Sequence, residues 1–114
     1  MPLLKVTLSV ELSDSARDRF LAEGSTLVAE LLGKPERYVM VTVSQDPIRF
    51  GGDDSPAAFV ELRSIGGLGP ETNQSLAQRL CELVDQTAGI PKDRTFLNFV
   101  DVARSNWGHN GSTF

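Results

Sequence analysis

The sequence predicts a two-layer α+β domain in which a β-α-β unit occurs twice. Each half shows an apolar strand, a helical pattern and a second strand, and the stop signals of the two helices recur at one offset. Gly33 and Pro35 lie 56 positions before Gly89 and Pro91. We therefore predict a single domain over 1–114, in which repeats over about 2–44 and 58–101 form a four-stranded mixed sheet with two helices on one face.

The first unit begins with a strand, because apolar and polar residues alternate over 2–10. Ser13 is the expected N-cap of the first helix, whose apolar residues recur at helical spacing. Gly33 and Pro35 end that helix. The β-branched residues within 38–43 predict the second strand, which should run parallel to the first.

The second unit follows the same plan. A strand is predicted over 58–62, and the next helix begins at Pro70, a residue favoured at the first helical position. Gly89 and Pro91 end this helix, and the closing strand covers 95–100. The strands of this unit are also expected to be parallel.

Two segments fall outside the repeated pattern. The connection over 44–56 is rich in turn residues and is expected to hold one short strand around 48–50. The tail over 104–114 is too rich in glycine for a helix, so we expect either a short pairing strand or a loop.

The outer face of the predicted sheet has no helix to cover it. Lys5, Thr7 and Ser9 make part of this face polar, although apolar strands flank it. Contact with other copies of the chain would cover such a surface, so the sequence predicts an oligomer.

Composition excludes several classes of protein. The chain has 114 residues and a net charge of −4, which argues against nucleic-acid binding, and it has no basic cluster for a membrane surface. One cysteine (Cys81) and one histidine leave no internal disulfide and no metal site of ordinary spacing. No signal peptide or membrane span is evident, so we expect a cytoplasmic protein.

Several short strings occur together in one order along the chain. They are "MP" at the start, "GKPERYV", "FGGDDSPAAF", "LRSIGGLG", "DRTFLNFVDV" and "GSTF" at the end. This ordered set resembles the macrophage migration inhibitory factor family of the tautomerase superfamily, and the similarity covers essentially the whole chain.

The resemblance implies a homotrimer with pockets between neighbouring subunits. It also implies a keto–enol tautomerase that acts on phenylpyruvate-like α-keto acids and needs no cofactor or metal. Members in animals act on receptors, so a cytokine-like binding protein with a relic pocket is the alternative, and non-classical secretion is the corresponding alternative to a cytoplasmic location. A third alternative is another reaction of the superfamily, such as hydration-type dehalogenation or decarboxylation, which uses the same proline.

Pro2 is the catalytic residue that the resemblance implies, provided that Met1 is removed. An α-amino group ordinarily has a pKa of about 8. An apolar pocket and a nearby cation would both lower that pKa. The neutral amine could then act as a general base near pH 7.

Lys34 follows the helix end at Gly33. It could compensate the helix dipole, but the position 56 residues later is Ile90, so the fold does not require a cation there. We therefore expect Lys34 to bind the substrate carboxylate. By resemblance, backbone groups of Ser64 and Ile65 face the substrate oxygens, and ordinary strand packing is the alternative.

Four further residues complete the site that the resemblance implies. Asn98 would bind substrate from the adjacent subunit, and a purely structural hydrogen bond is the alternative. Phe96 stands where better-known members have tyrosine, so an aromatic wall remains without a hydroxyl. Tyr38 and Phe114 would add apolar lining.

The chain departs from the family pattern around this pocket. Arg63 replaces a familiar histidine, and Trp107 and His109 rearrange the aromatic rim. The CxxC of vertebrate members is absent, so no thiol–oxidoreductase role is expected. Arg63 could assist an acidic substrate in the third alternative, and the altered rim favours the binding-protein alternative.

Overall fold

The computed structural model describes all 114 residues. Its strands and α-helices, in chain order, are β1 (Pro2–Leu8), α1 (Asp14–Leu32), β2 (Met40–Gln45), β3 (Ala58–Ser64), α2 (Pro70–Ala88), β4 (Thr95–Asp101), β5 (Gly108–His109) and β6 (Ser112–Thr113). Three short 3-10 helices cover Glu36–Tyr38, Lys92–Arg94 and Arg104–Asn106.

The main sheet has the strand order β2-β1-β3-β4. β1 and β2 are parallel, β3 and β4 are parallel, and the two central strands β1 and β3 are antiparallel. This confirms the predicted α+β fold with a four-stranded mixed sheet. The starts of β1 and β3, of α1 and α2, and of the first two 3-10 helices all differ by 56 positions.

The helices begin and end at the predicted signals. The Ser13 hydroxyl accepts a hydrogen bond from the Ala16 N–H at 3.1 Å, which caps α1. Gly33 and Gly89 follow the two helices in the left-handed conformation, with φ of 63° and 69°. Pro70 is the first residue of α2, where its missing N–H removes no helical hydrogen bond.

The hydrophobic core lies between the sheet and the two helices. The sheet contributes alternate residues, since a strand presents every second side chain to the same face. Fully buried examples are Leu4 and Val6 of β1 and Leu62 of β3. Phe20 of α1 and Leu76 of α2, which correspond in the repeat, are at most 1% exposed in the same core.

No helix or strand of this chain covers the outer face of the sheet, although the Phe50 ring of the connection lies against Phe96 with the ring centroids 4.4 Å apart. The side chains of this face form cross-strand rows, of which one is Thr42, Lys5, Glu61 and Asn98. Large apolar groups are also exposed, with Met40 at 63% and Phe96 at 61%. β2 and β4 are both edge strands without a further partner in this chain.

The structure corrects one boundary in each of the first two strands and removes one predicted strand. The first strand ends at Leu8, and Tyr38 belongs to a 3-10 helix, so β2 begins only at Met40. The N–H of Tyr38 binds the carbonyl of Pro35 at 3.0 Å, which closes this turn before the strand begins. No strand forms over 48–50, where a single bridge joins Phe50 and Asp53.

Arg94 explains how the connection between β2 and β3 is held without a strand. Its guanidinium donates to the carbonyl oxygens of the connection at Phe50, Asp53, Ser55 and Pro56. It also lies 4.8 Å from the centroid of the Phe50 ring. One side chain thus links four carbonyl oxygens of the connection, and two of them, at Phe50 and Asp53, also accept backbone N–H groups of the bridge.

Replacing Arg94 with alanine is expected to lower the free energy of unfolding by about 2 kcal/mol, because several carbonyls lose a charged donor. Arg94→Lys should restore only part of the lost stability, since an ammonium lacks the planar set of N–H donors of a guanidinium. Urea unfolding measures both changes. Arg49→Ala is the matched control: it removes an exposed ion pair with Asp54 in the same connection and should cost at most about 0.5 kcal/mol. Equal losses in the Arg94 and Arg49 variants would contradict the role of Arg94.

Candidate functional site

A cavity of about 270 Å³ lies at the amino-terminal end of β1. Parts of the chain that are distant in sequence meet here: the chain start, the turn after α1, the end of β3 and the tail. The lining residues are Met1, Lys34, Pro35, Tyr38, Ile65, Arg104 and Phe114.

The floor of the cavity is formed where β1 starts beside the end of β3. Pro2 is paired with Ser64, and both residues are buried. The Ser64 hydroxyl donates to the Gly66 carbonyl at 2.7 Å, which fixes the turn that follows the strand. The Ile65 N–H donates to the Met1 carbonyl at 3.4 Å, so this turn directly contacts the chain start.

Lys34 projects into the cavity from the turn after α1. Its ammonium donates to the Ile65 carbonyl at 3.1 Å, and no carboxylate of the chain pairs with it. At the equivalent position of the second repeat, Ile90 is completely buried in the core. The repeat therefore accommodates an apolar residue at this position, and the cation is particular to the cavity.

The tail completes the wall of the cavity by turning back on itself. β5 and β6 form a tight hairpin through Asn110 and Gly111, which have φ of 53° and 78°. Two successive positive φ angles match a turn type that favours asparagine followed by glycine. The N–H of Phe114 then binds the carbonyl of Trp107 at 3.2 Å, which brings the Phe114 ring to the cavity.

The cavity changes the acidity of the terminal amine. Burial lowers the pKa of the Met1 amino group, and the positive charges of Lys34 and Arg104 lower it further. The nitrogen of Pro2 is an amide as long as Met1 is attached. Removal of Met1 would make that nitrogen the terminal amine.

The residues predicted from sequence fall into three groups. Lys34, Tyr38, Ile65 and Phe114 line the cavity. Pro2 and Ser64 lie directly behind it at the paired strand ends.

Phe96 and Asn98 form the third group and lie on the outer face of β4, away from this cavity. Asn98 has no hydrogen-bond partner for its side chain in this chain. Within one chain, these two residues are therefore not part of the same site.

Sequence reasoning missed Arg104. It lies in the 3-10 helix between β4 and the tail, and it is one of 11 basic residues without a distinguishing motif. Its position in the sequence could have identified it. Arg104 follows the carboxyl end of β4, and this end lies beside the end of the parallel strand β3.

A larger cavity of about 460 Å³ lies between α1 and α2. It is lined mainly by charged and polar side chains of the helix surfaces, including Glu30, Arg79 and Glu82. The smaller cavity is the better candidate, because a partly buried amine and two cations converge there. No group of three or more His, Cys, Asp or Glu residues is placed to bind a metal ion. Neither helix has the length and apolar character required to cross a bilayer.

The fold and the cavity together define a class of small proteins: two β-α-β units form one sheet, and a pocket surrounds the amino terminus. The family profile described as macrophage migration inhibitory factor (MIF) matches residues 1–114. The chain belongs to the macrophage migration inhibitory factor family.

Individual relatives agree with this assignment. A macrophage migration inhibitory factor homolog of Trichuris trichiura is 43% identical, with 100% of both chains covered. The mouse macrophage migration inhibitory factor is 36% identical over 100% of this chain and 99% of its own length.

Solved structures of relatives have the same fold. The crystal structure of a homologue from Prochlorococcus marinus has a TM-score of 0.93 at 41% identity and covers 98% of both chains. That of a macrophage migration inhibitory factor-like protein from Entamoeba histolytica has a TM-score of 0.94 at 33% identity, and covers 99% of this chain and 98% of its own.

Proposed function

We propose that this protein is a keto–enol tautomerase of phenylpyruvate-like α-keto acids, with the amine of Pro2 as the general acid and base. The observation that carries the proposal is the position of the amino terminus in a cavity with Lys34 and Arg104, where burial and positive charge lower the pKa of an amine. A lowered pKa keeps the amine neutral, and hence basic, near pH 7.

Removal of Met1 has two consequences in this proposal. It converts the Pro2 nitrogen from an amide into a secondary amine. It also frees the Ile65 N–H, whose hydrogen-bond acceptor is the Met1 carbonyl. A substrate oxygen could then accept from this N–H in place of the lost carbonyl.

The reaction moves one proton between carbon and oxygen. Pro2 removes a proton from the carbon next to the ketone and becomes a cation, while charge develops on the ketone oxygen. The Ile65 N–H stabilises that charge, and the protonated Pro2 then returns a proton to the oxygen. Lys34 holds the substrate carboxylate, and the Tyr38 and Phe114 rings pack against the apolar part of the substrate.

We also propose that the protein assembles as a homotrimer and that Asn98 and Phe96 reach the cavity of a neighbouring copy. The support is the uncovered outer face, with exposed Met40 and Phe96, and the two edge strands β2 and β4. Sedimentation equilibrium is expected to give three times the chain mass of 12.4 kDa. A monomer at micromolar concentration would contradict the assembly.

Lys34→Ala tests the proposed function. The expected result is a 10- to 100-fold lower kcat/KM for phenylpyruvate, mainly through KM, because the carboxylate loses its cation. The positive charge of Lys34 also favours the neutral amine. Without Lys34 the pKa of the amine rises towards its ordinary value, and the acidic limb of the pH–rate profile moves to higher pH.

Lys34→Arg is the matched control, since it keeps the positive charge at the same position. It should retain the position of the acidic limb even if KM changes. An unchanged KM and an unchanged pH profile in Lys34→Ala would show that Lys34 does not serve the site.

A receptor-binding role is the second candidate. It is favoured by the altered aromatic rim, in which Phe96 lacks a hydroxyl and His109 is exposed in the tail. Partner binding that persists in a catalytically inactive Pro2→Gly variant would support this role.

A further inference from the structure

Arg104 is a second cation in the cavity, and the proposed tautomerisation does not require it. Its side chain lines the cavity together with Lys34. No carboxylate lies within 4.0 Å of its guanidinium, since the ion pairs of the chain involve other residues. Its side chain also makes no hydrogen bond within the chain.

The cavity is positively charged in a protein that is negatively charged overall. The chain has a net charge of −4, yet no acidic residue is among those that line the cavity. A substrate with one carboxylate would engage Lys34 and leave the guanidinium of Arg104 without an anion. Two unpaired cations in one small cavity therefore fit a ligand with two negative charges.

We propose that the preferred substrates are 2-oxo dicarboxylates, in which the carboxylate beside the ketone binds Lys34 and the distal carboxylate binds Arg104. This inference rests on the proposed function, because it names the substrate class of the same site. A guanidinium can donate two parallel hydrogen bonds to one carboxylate, which fixes orientation as well as charge. The distal carboxylate would then hold the carbon between the two acid groups close to Pro2.

Discrimination follows from the additional charge pairing. Arg104 is exposed, so water solvates its guanidinium when the ligand has one carboxylate, and a dicarboxylate gains a charge-assisted hydrogen bond that a monocarboxylate lacks. Phenylpyruvate has a phenyl ring where a 2-oxo dicarboxylate has its second carboxylate. Its ring could pack on Tyr38 and Phe114, but it could not pair with Arg104.

The test compares oxaloacetate with phenylpyruvate, using protein whose intact mass shows that Met1 has been removed. The enol–keto conversion of each compound gives kcat/KM, and calorimetry gives binding separately from turnover. In Arg104→Ala, the preference for oxaloacetate over phenylpyruvate is expected to fall at least tenfold in both readouts. Arg104→Lys should restore part of that preference.

Arg79→Ala is the matched control, because Arg79 is an exposed arginine of α2, far from this cavity and without an ion pair. It should leave the preference unchanged. Oxaloacetate binding should also weaken more steeply with salt than phenylpyruvate binding, and this difference should vanish in Arg104→Ala.

The outcomes separate this inference from the proposed function. If both compounds bind with the expected preference but neither is turned over, the tautomerase proposal fails and the dicarboxylate site stands. If both are turned over but Arg104→Ala leaves their ratio unchanged, the dicarboxylate inference is overturned. It is also overturned if Arg104→Ala changes the mass of the assembly and not the preference, since Arg104 would then pair with a carboxylate of another copy.

Discussion

Pro2→Gly is expected to lower kcat/KM for phenylpyruvate by about 100- to 10,000-fold, the range that a positioned general base contributes. Glycine still provides a terminal amine after Met1 is removed, but a primary one on a freely rotating residue. The Pro2 ring is buried at the paired start of β1, which fixes its nitrogen beside the cavity. The enol–keto assay at several pH values measures this change.

The state of Met1 gives a second, independent control of the same prediction. Protein that retains Met1 has an amide at Pro2, and its free amine lies on the preceding residue, roughly 3.8 Å away by the spacing of consecutive Cα atoms. We expect such protein to be at least about 100-fold less active than the same sample after treatment with methionine aminopeptidase. Equal activity before and after treatment, with intact masses verified, would exclude the Pro2 amine as the base.

Phe20→Ala is expected to lower the free energy of unfolding by about 3–5 kcal/mol, because it removes a large buried ring and leaves a cavity. Phe20 is 1% exposed and packs between α1 and the sheet. Urea unfolding followed by circular dichroism measures the loss. Phe20→Leu fills most of the space and should cost less than about 1.5 kcal/mol.

Phe96→Ala is the matched control for this loss, since it deletes the same ring from a site that is 61% exposed. If the outer face mediates assembly, the loss of stability in Phe96→Ala should depend on protein concentration. The loss of stability in Phe20→Ala should be the same at every concentration. A small loss in Phe20→Ala, comparable to that of Phe20→Leu, would mean that the core collapses into the space.

The fold could be predicted from the sequence because local signals for helix ends repeat at one offset. Gly33 and Gly89, followed by Pro35 and Pro91, mark both helix ends, and the structure has both glycines in the left-handed conformation. The comparison of Lys34 with Ile90 also identified a cation that the fold does not need, and Lys34 lines the cavity.

Other features could not be predicted because they depend on contacts between distant segments. Arg104 becomes part of the cavity only when the end of β4 meets the chain start. No strand forms over 48–50, and the connection is instead held by Arg94, which lies 38 or more positions after the carbonyls that it binds. The proposed role of Phe96 and Asn98 depends on contacts with other copies of the chain, and the geometry of such contacts cannot be read from a pattern within one sequence.

Equivalent positions of the two 56-residue repeats carry different residues at the two ends of the sheet. Position 34 is a lysine that lines the cavity, whereas its counterpart Ile90 is buried in the hydrophobic core. Position 38 is a tyrosine that lines the cavity, whereas its counterpart Arg94 donates hydrogen bonds to the connection between β2 and β3. In the proposed function the first repeat supplies residues of the site and the second stabilises the fold, so substitutions at 34 and 38 should impair turnover while those at 90 and 94 should impair folding.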